Sequence, residues 1–130
     1  MVWSVGIDVS KAKLDVALLK ADDKYRSKVF PNDGAGFKLL LQWLDVNVPE
    51  GKVAAHVCME ATGSYHEALA LFLFDHGVAV SVVNPLQVKR FIEVDRVRNK
   101  TDEGDAKCLA RFCRMIDRKS TRLNSSHLGI

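Results

Sequence analysis

The sequence has no apolar run near the roughly 18 residues that a membrane-spanning helix requires, so no membrane partner is expected. Its N-terminus alternates like a strand and lacks a charged segment followed by an apolar core, so no targeting peptide is read. Cysteine is scarce. Cys58, Cys108 and Cys113 are odd in number and apolar in setting, and none has zinc-ligand spacing. That argues against a disulfide framework or a zinc module and points to a reducing cytoplasm. The eight glycines nowhere gather into a nucleotide-phosphate loop, and no internal repeat is visible. What remains is 130 residues, 48% hydrophobic: one soluble domain, long enough for a core of its own.

The net charge of +3 is modest but unevenly distributed. Between Leu86 and Arg122 stand Lys89, Arg90, Arg96, Arg98, Lys100, Lys107, Arg111, Arg114, Arg118, Lys119 and Arg122, against six acids. A basic end of this kind points to a polyanion. A solvated charged face is the commoner meaning of any single basic run.

In chain order, Trp3, Val5, Ile7 and Val9 alternate with Ser4, Gly6, Asp8 and Ser10, a strand with an aspartate inside it. The turn Ser10–Lys13 leads to a second strand over Leu14–Lys20, which requires an antiparallel hairpin. A third strand is expected over Lys24–Phe30. Asn32 or Asp33 caps a helix whose stripe is Phe37, Leu40, Leu41, Leu44 and Val48. Val53–Met59 reads as a central parallel strand, apolar on both faces apart from His56. It ends at Glu60, where Ser64-Tyr65-His66-Glu67 reads as a capping box. The helix Ala68–His76 is apolar nearly all round, which predicts burial, and Gly77 stops it. A fifth strand spans Val78–Val83, and a helix Leu86–Asp95 and a loop Arg96–Lys100 follow. The order βββαβαβα plus a last helix predicts a mixed α/β sheet with helices on both faces. Periodicity dies near Arg118, so residues 1–117 are expected to fold and 118–130 to be a disordered or non-native tail.

The last helix carries the chemistry. Thr101 reads as its N-cap, and Asp102 and Asp105 share a side with Leu109, Phe112, Cys113 and Ile116. Lys107, Arg111, Arg114 and Arg118 fall opposite. Inward carboxylates are costly without a cation. Either a metal ion compensates them, or backbone N–H groups of a frayed first turn do. Asp8 and Glu60, at the carboxyl end of the fourth strand, could join Asp102 and Asp105 if the first and fourth strands are neighbours. Four carboxylates would suit hard divalent cations such as Mg²⁺ or Mn²⁺.

Gly6-Ile7-Asp8-Val9-Ser10-Lys11, Met59-Glu60-Ala61-Thr62-Gly63 and Lys100-Thr101-Asp102-Glu103-Gly104-Asp105-Ala106-Lys107 resemble the three motifs of the DEDD-type insertion-sequence transposases. These are the relatives of the Piv DNA invertase, with a RuvC-like, ribonuclease H-like N-terminal domain. The resemblance covers nearly all of residues 2–117. It implies a metal-binding tetrad of Asp8, Glu60, Asp102 and Asp105, Mg²⁺ or Mn²⁺ as cofactor, and phosphodiester cleavage and strand transfer on DNA. It also implies a guide RNA, which Lys107, Arg111, Arg114 and Arg118 would suit. A homo-oligomer is expected as well, because the almost wholly apolar helix after Glu60 calls for a partner surface. A serine from a C-terminal domain is expected to complete the chemistry, so this chain alone is expected to be inactive in strand exchange. The rival reading is a non-catalytic nucleic-acid clamp of the same fold, which would not require four acids at these places. A sugar kinase or actin-like ATPase would need a second glycine-rich phosphate loop.

Overall fold

The computed structural model describes residues 2–61, 63–99 and 104–120. Three antiparallel strands come first: β1 (Trp3–Val9), β2 (Lys13–Leu19) and β3 (Tyr25–Pro31). Helix α1 (Gly34–Asn47), a 3₁₀ turn (Lys52–Ala54), β4 (Ala55–Glu60), α2 (Glu67–Asp75), β5 (Ala79–Val83), α3 (Pro85–Asn99) and α4 (Asp105–Ser120) follow. The strands form one sheet in the order β3-β2-β1-β4-β5, with β1–β4 and β4–β5 parallel. The expected element order and mixed sheet are both found, and β1 does lie beside β4.

The two faces of β1 divide the labour. Val5, Ile7 and Val9 join Leu14, Val16, Leu18, Val57 and Met59 in the main core, under α1 and α2. Asp33 caps α1 by accepting from Gly36 N–H at 2.8 Å. On the other face α4 lies across β1, β2 and β4. Helix and strand come unusually close there. A Cβ on Gly6 would overlap the Ala106 carbonyl oxygen and the Ala110 amide nitrogen, and would sit 2.8 Å from Leu109 Cβ. Ala17, opposite Gly6 in the hairpin, is buried and also small. A second, smaller core joins Val88 of α3 to Leu109 and Phe112 of α4.

Four local expectations differ from the structure. Ser64 does not box the start of α2: residues 63–66 form a turn, and the helix begins at Glu67 with no side-chain cap bond. Nor is α2 buried all round. Only Leu69 and Leu73 are fully covered, while Leu71 and Phe74 are 62% and 68% exposed, because a helix over an edge strand has one side to bury. The expected loop at Arg96 is helical, since no glycine or proline stands between Pro85 and Gly104 to stop α3. Finally, α4 continues past residue 117 to Ser120. The proposed tail at 121–130 lies outside the described residues.

The close approach at Gly6 makes one substitution decisive. Gly6→Ala meets backbone, which cannot rotate aside, and should cost about 2 kcal/mol or more in chemical denaturation. Gly34→Ala has open space around it and should be near neutral or slightly stabilising. Equal, small effects at both positions would show that α4 can lift off β1 at little cost.

Candidate active site

Asp8 is next to last in β1, on the face covered by α4, and Glu60 ends the parallel neighbour β4. Pairing runs through Gly6↔Cys58 and Ile7↔Met59, so the next step of that register sets Asp8 beside Glu60. Asp105 opens α4 directly above them. Three elements thus deliver three carboxylates to the carboxyl ends of the two central parallel strands, the usual ligand position of open α/β sheets. Asp102 lies outside the described residues.

The electrostatics reflect this proximity. Burial, then Asp105, then Asp15 push the Asp8 carboxyl above its ordinary range, with Lys13 opposing them. Burial, then Asp105 and Asp8, push Glu60 up as well. Sequence reading missed Asp15. It stands directly opposite Asp8 in the hairpin, and paired residues share a face. Its signal was present in the turn length that sets the register. The donor set consists of hard carboxylate oxygens, crowded and mutually repelling, which fits Mg²⁺ or Mn²⁺ rather than a soft metal.

Two of these carboxylates, Glu60 and Asp105, line a cleft of about 270 Å³. Glu60 and Asp105 face Val88, Lys89, Ile92 and Arg96 of α3 across it. None of these α3 residues stands out in the sequence, where Arg96 reads as loop and Lys89 as one base among many.

The basic residues of α4 do not form a free outward stripe. Arg111 pairs with the buried Asp95 of α3 at 2.5 Å. Burial disfavours the Arg111 charge, but Asp95 and Tyr25 outweigh it and raise its pKa. Arg114 bonds Asp23 at 2.5 Å and the Lys20 carbonyl at 2.9 Å, fastening α4 to the β2–β3 turn. Lys107 lies over the Tyr25 ring, 5.3 Å from its centre. Arg118 is exposed and has an interaction of its own. A helix lying flat on a sheet is flanked on both sides, so cations expected in solvent meet neighbouring elements instead.

A second cluster, His56, Cys58 and Cys113, also has ligand atoms within 4.8 Å of one another. It is explained without an ion. His56 Nδ1 donates to the Asp117 carboxylate at 2.8 and 2.9 Å, and Nε2 shares a 2.7 Å bond with Ser81 Oγ. The Cys113 thiol donates to the His56 carbonyl at 3.2 Å. Burial first, and Cys58 beside it, push that thiol well up, away from the thiolate a soft metal needs.

A family model described as transposase, of the DEDD type, matches residues 5–128. The pilin gene-inverting proteins of Moraxella bovis and Moraxella lacunata are 34% and 33% identical over 108 residues. The alignment covers 83% of this chain and 33% of each relative, so the chain spans about a third of their length. Among solved structures, Thermus thermophilus RuvC superposes with a TM-score of 0.60 at 17% identity, covering 90% of this chain and 97% of that one. The fold is therefore RuvC-like, as the resemblance implied. No helix among the described residues is long and apolar enough to cross a membrane.

Two outcomes follow from the charges. Arg111→Glu sets a second carboxylate against the buried Asp95 and should destabilise the fold by about 2 kcal/mol in urea titration, less than for a fully buried pair because Arg111 is partly exposed. A change under about 0.5 kcal/mol, the usual size of surface effects, would restore the solvated stripe.

The second outcome is pH-dependent. Asp8 and Glu60 are raised, so the folded state binds more protons than the unfolded chain above their ordinary values of 3.8 and 4.5. Their stabilising contribution is present below those values and is lost as the pH rises through the raised ones. In chelator, Asp8→Asn and Glu60→Gln should therefore melt higher than wild type at about pH 7, with the advantage shrinking towards about pH 4. An advantage that stays constant with pH would mean that neither carboxyl is perturbed.

Proposed function

The chain belongs to the DEDD transposase family, and from that premise we propose that it forms the metal-binding half of a DNA recombination site. The observation carrying this reading is the crowding of Asp8, Glu60 and Asp105 on two adjacent strand ends and one helix start. Burial and the nearby Asp105 make Asp8 and Glu60 harder to charge, a cost that a bound cation would relieve. Asp8 and Glu60, held by paired strands, would give fixed ligand oxygens, and Asp105 would close over them from α4. Asp102 is the fourth ligand by resemblance. When bound, a pair of divalent cations supplies activation of an attacking oxygen and stabilisation of a leaving one at a phosphodiester. The chain's own part is to orient that phosphodiester in the cleft beside Glu60 and Asp105.

DNA is the proposed substrate, in keeping with the gene-inverting activity named for the Moraxella relatives. Strand exchange belongs in this proposal to the longer protein, whose further domain would bring the serine implied by the resemblance. A guide RNA would present the same phosphate charge to the same surface.

A cation that binds only the folded state must stabilise it, by about 2.7 kcal/mol at a hundred times its Kd. Millimolar Mn²⁺ or Mg²⁺ should raise the wild-type melting temperature, and Asp8→Asn should abolish most of that rise. If both proteins gain equally, the ion binds elsewhere and the clamp without catalysis becomes the better description.

A further inference from the structure

We propose that the cleft-facing side of α3, through Lys89 and Arg96, is the seat of the nucleic-acid backbone at this site. The role that the sequence suggested for α4 thus passes to α3. The inference rests on reading the carboxylates as the reaction centre, and names the groups that hold the substrate there.

Three observations carry it. The first is position: Lys89 and Arg96 line the cleft whose opposite wall is Glu60 and Asp105. A backbone held by them passes directly over the carboxylates. The second is availability. Both side chains are exposed, and among the described residues neither makes an ion pair, whereas Arg111 and Arg114 are engaged within the fold. The third is spacing. Seven residues are two helical turns, about 10.5 Å along the axis. Each phosphate of one strand adds about 3.4 Å along the duplex axis, so a pair aligned with that axis spans roughly three steps. The pair can therefore hold phosphates that flank those nearest the acids. Glu93, between them on the same face, tempers the patch. It disfavours tight capture of a dense anion and favours a singly charged diester at each cation.

Contacts of this kind fix the register of a substrate without reading its sequence. They also answer a difficulty of the carboxylate centre, which alone repels DNA. Cations on the opposite wall let the strand settle before any chemistry begins. The buried Val88 anchors α3 to α4, so the two walls keep a fixed separation.

The test uses the 130-residue chain and a fluorescein-labelled duplex of about 20 base pairs, followed by anisotropy in Mg²⁺ over a range of NaCl. The variant K89Q/R96Q is compared with R90Q/R98Q, which removes equal charge from the sides of α3 turned away from the cleft. Glutamine keeps helix propensity at these exposed positions, and circular dichroism melts check the fold. K89Q/R96Q should weaken binding at least tenfold and flatten the salt slope by about two. R90Q/R98Q should weaken it less than threefold. Both should keep the wild-type rise in melting temperature with Mn²⁺. Unchanged binding by K89Q/R96Q, or equal losses in the two variants, overturns the proposal. A loss confined to K89Q/R96Q, with no Mn²⁺ rise even in wild type, sustains the seat and overturns the metal reading instead.

Discussion

How near α4 can come to β1 decides almost everything else in this domain. At Gly6 there is no room for a single methyl group between strand and helix backbone. Asp8 lies two residues further along the same face, and Asp105 one residue before Ala106 at the point of contact. The separation of the two carboxylates is therefore set by the absence of one side chain. A methyl group would lift the helix by an ångström or so, enough to loosen any shared ligand. Glycine weakens a strand in isolation, and here the loss is exchanged for a contact no other residue permits.

Holding α4 down means holding like charges together, and the helix is fastened accordingly. Leu109, Phe112 and Cys113 are buried. Arg111 reaches Asp95, Arg114 reaches Asp23 and the Lys20 carbonyl, and Asp117 reaches His56. These fastenings lie one or more turns beyond Asp105, towards the C-terminal end. Cations near a helix C-terminus are favoured and acids at its start are tolerated, so the helix is polarised into an anchoring end and a working end. Destabilising groups at a working site, compensated elsewhere in the fold, are common where function demands them.

Much of this was legible in the sequence, for reasons that can be named. Period-two alternation in β1 separated the core residues Val5, Ile7 and Val9 from the face bearing Gly6 and Asp8. The short Ser10–Lys13 turn required a hairpin, and the apolar stripe of α1 placed that helix. Asp8, Glu60 and Asp105 were conspicuous as acids where acids are disfavoured. What escaped depended on distant partners. The failed capping box at Ser64 obeys the local rule in sequence, yet residues 63–66 close a turn instead. Leu71 and Phe74 are exposed because α2 sits over an edge strand, and strand order is a long-range fact. Asp15 was hidden because its significance depends on hairpin register rather than on its own neighbours.

The most instructive failure concerns the bases, because there the helical geometry was read correctly and the conclusion still went wrong. Lys107, Arg111 and Arg114 do fall away from the residues that bury α4 against the sheet. A face turned from the sheet is not yet a face turned to solvent. Position along the sheet decides which, and that depends on what flanks the helix. On one flank α3 runs through Arg96 to Asn99 and offers Asp95; on the other, the β2–β3 turn offers Asp23. Arg111 and Arg114 of α4 are thereby engaged within the fold. Of those on α3, Lys89 and Arg96 line the cleft that Glu60 and Asp105 also line. Charge counts along a chain measure how much basic surface a fold must place. They do not say which helix will have neighbours to absorb it.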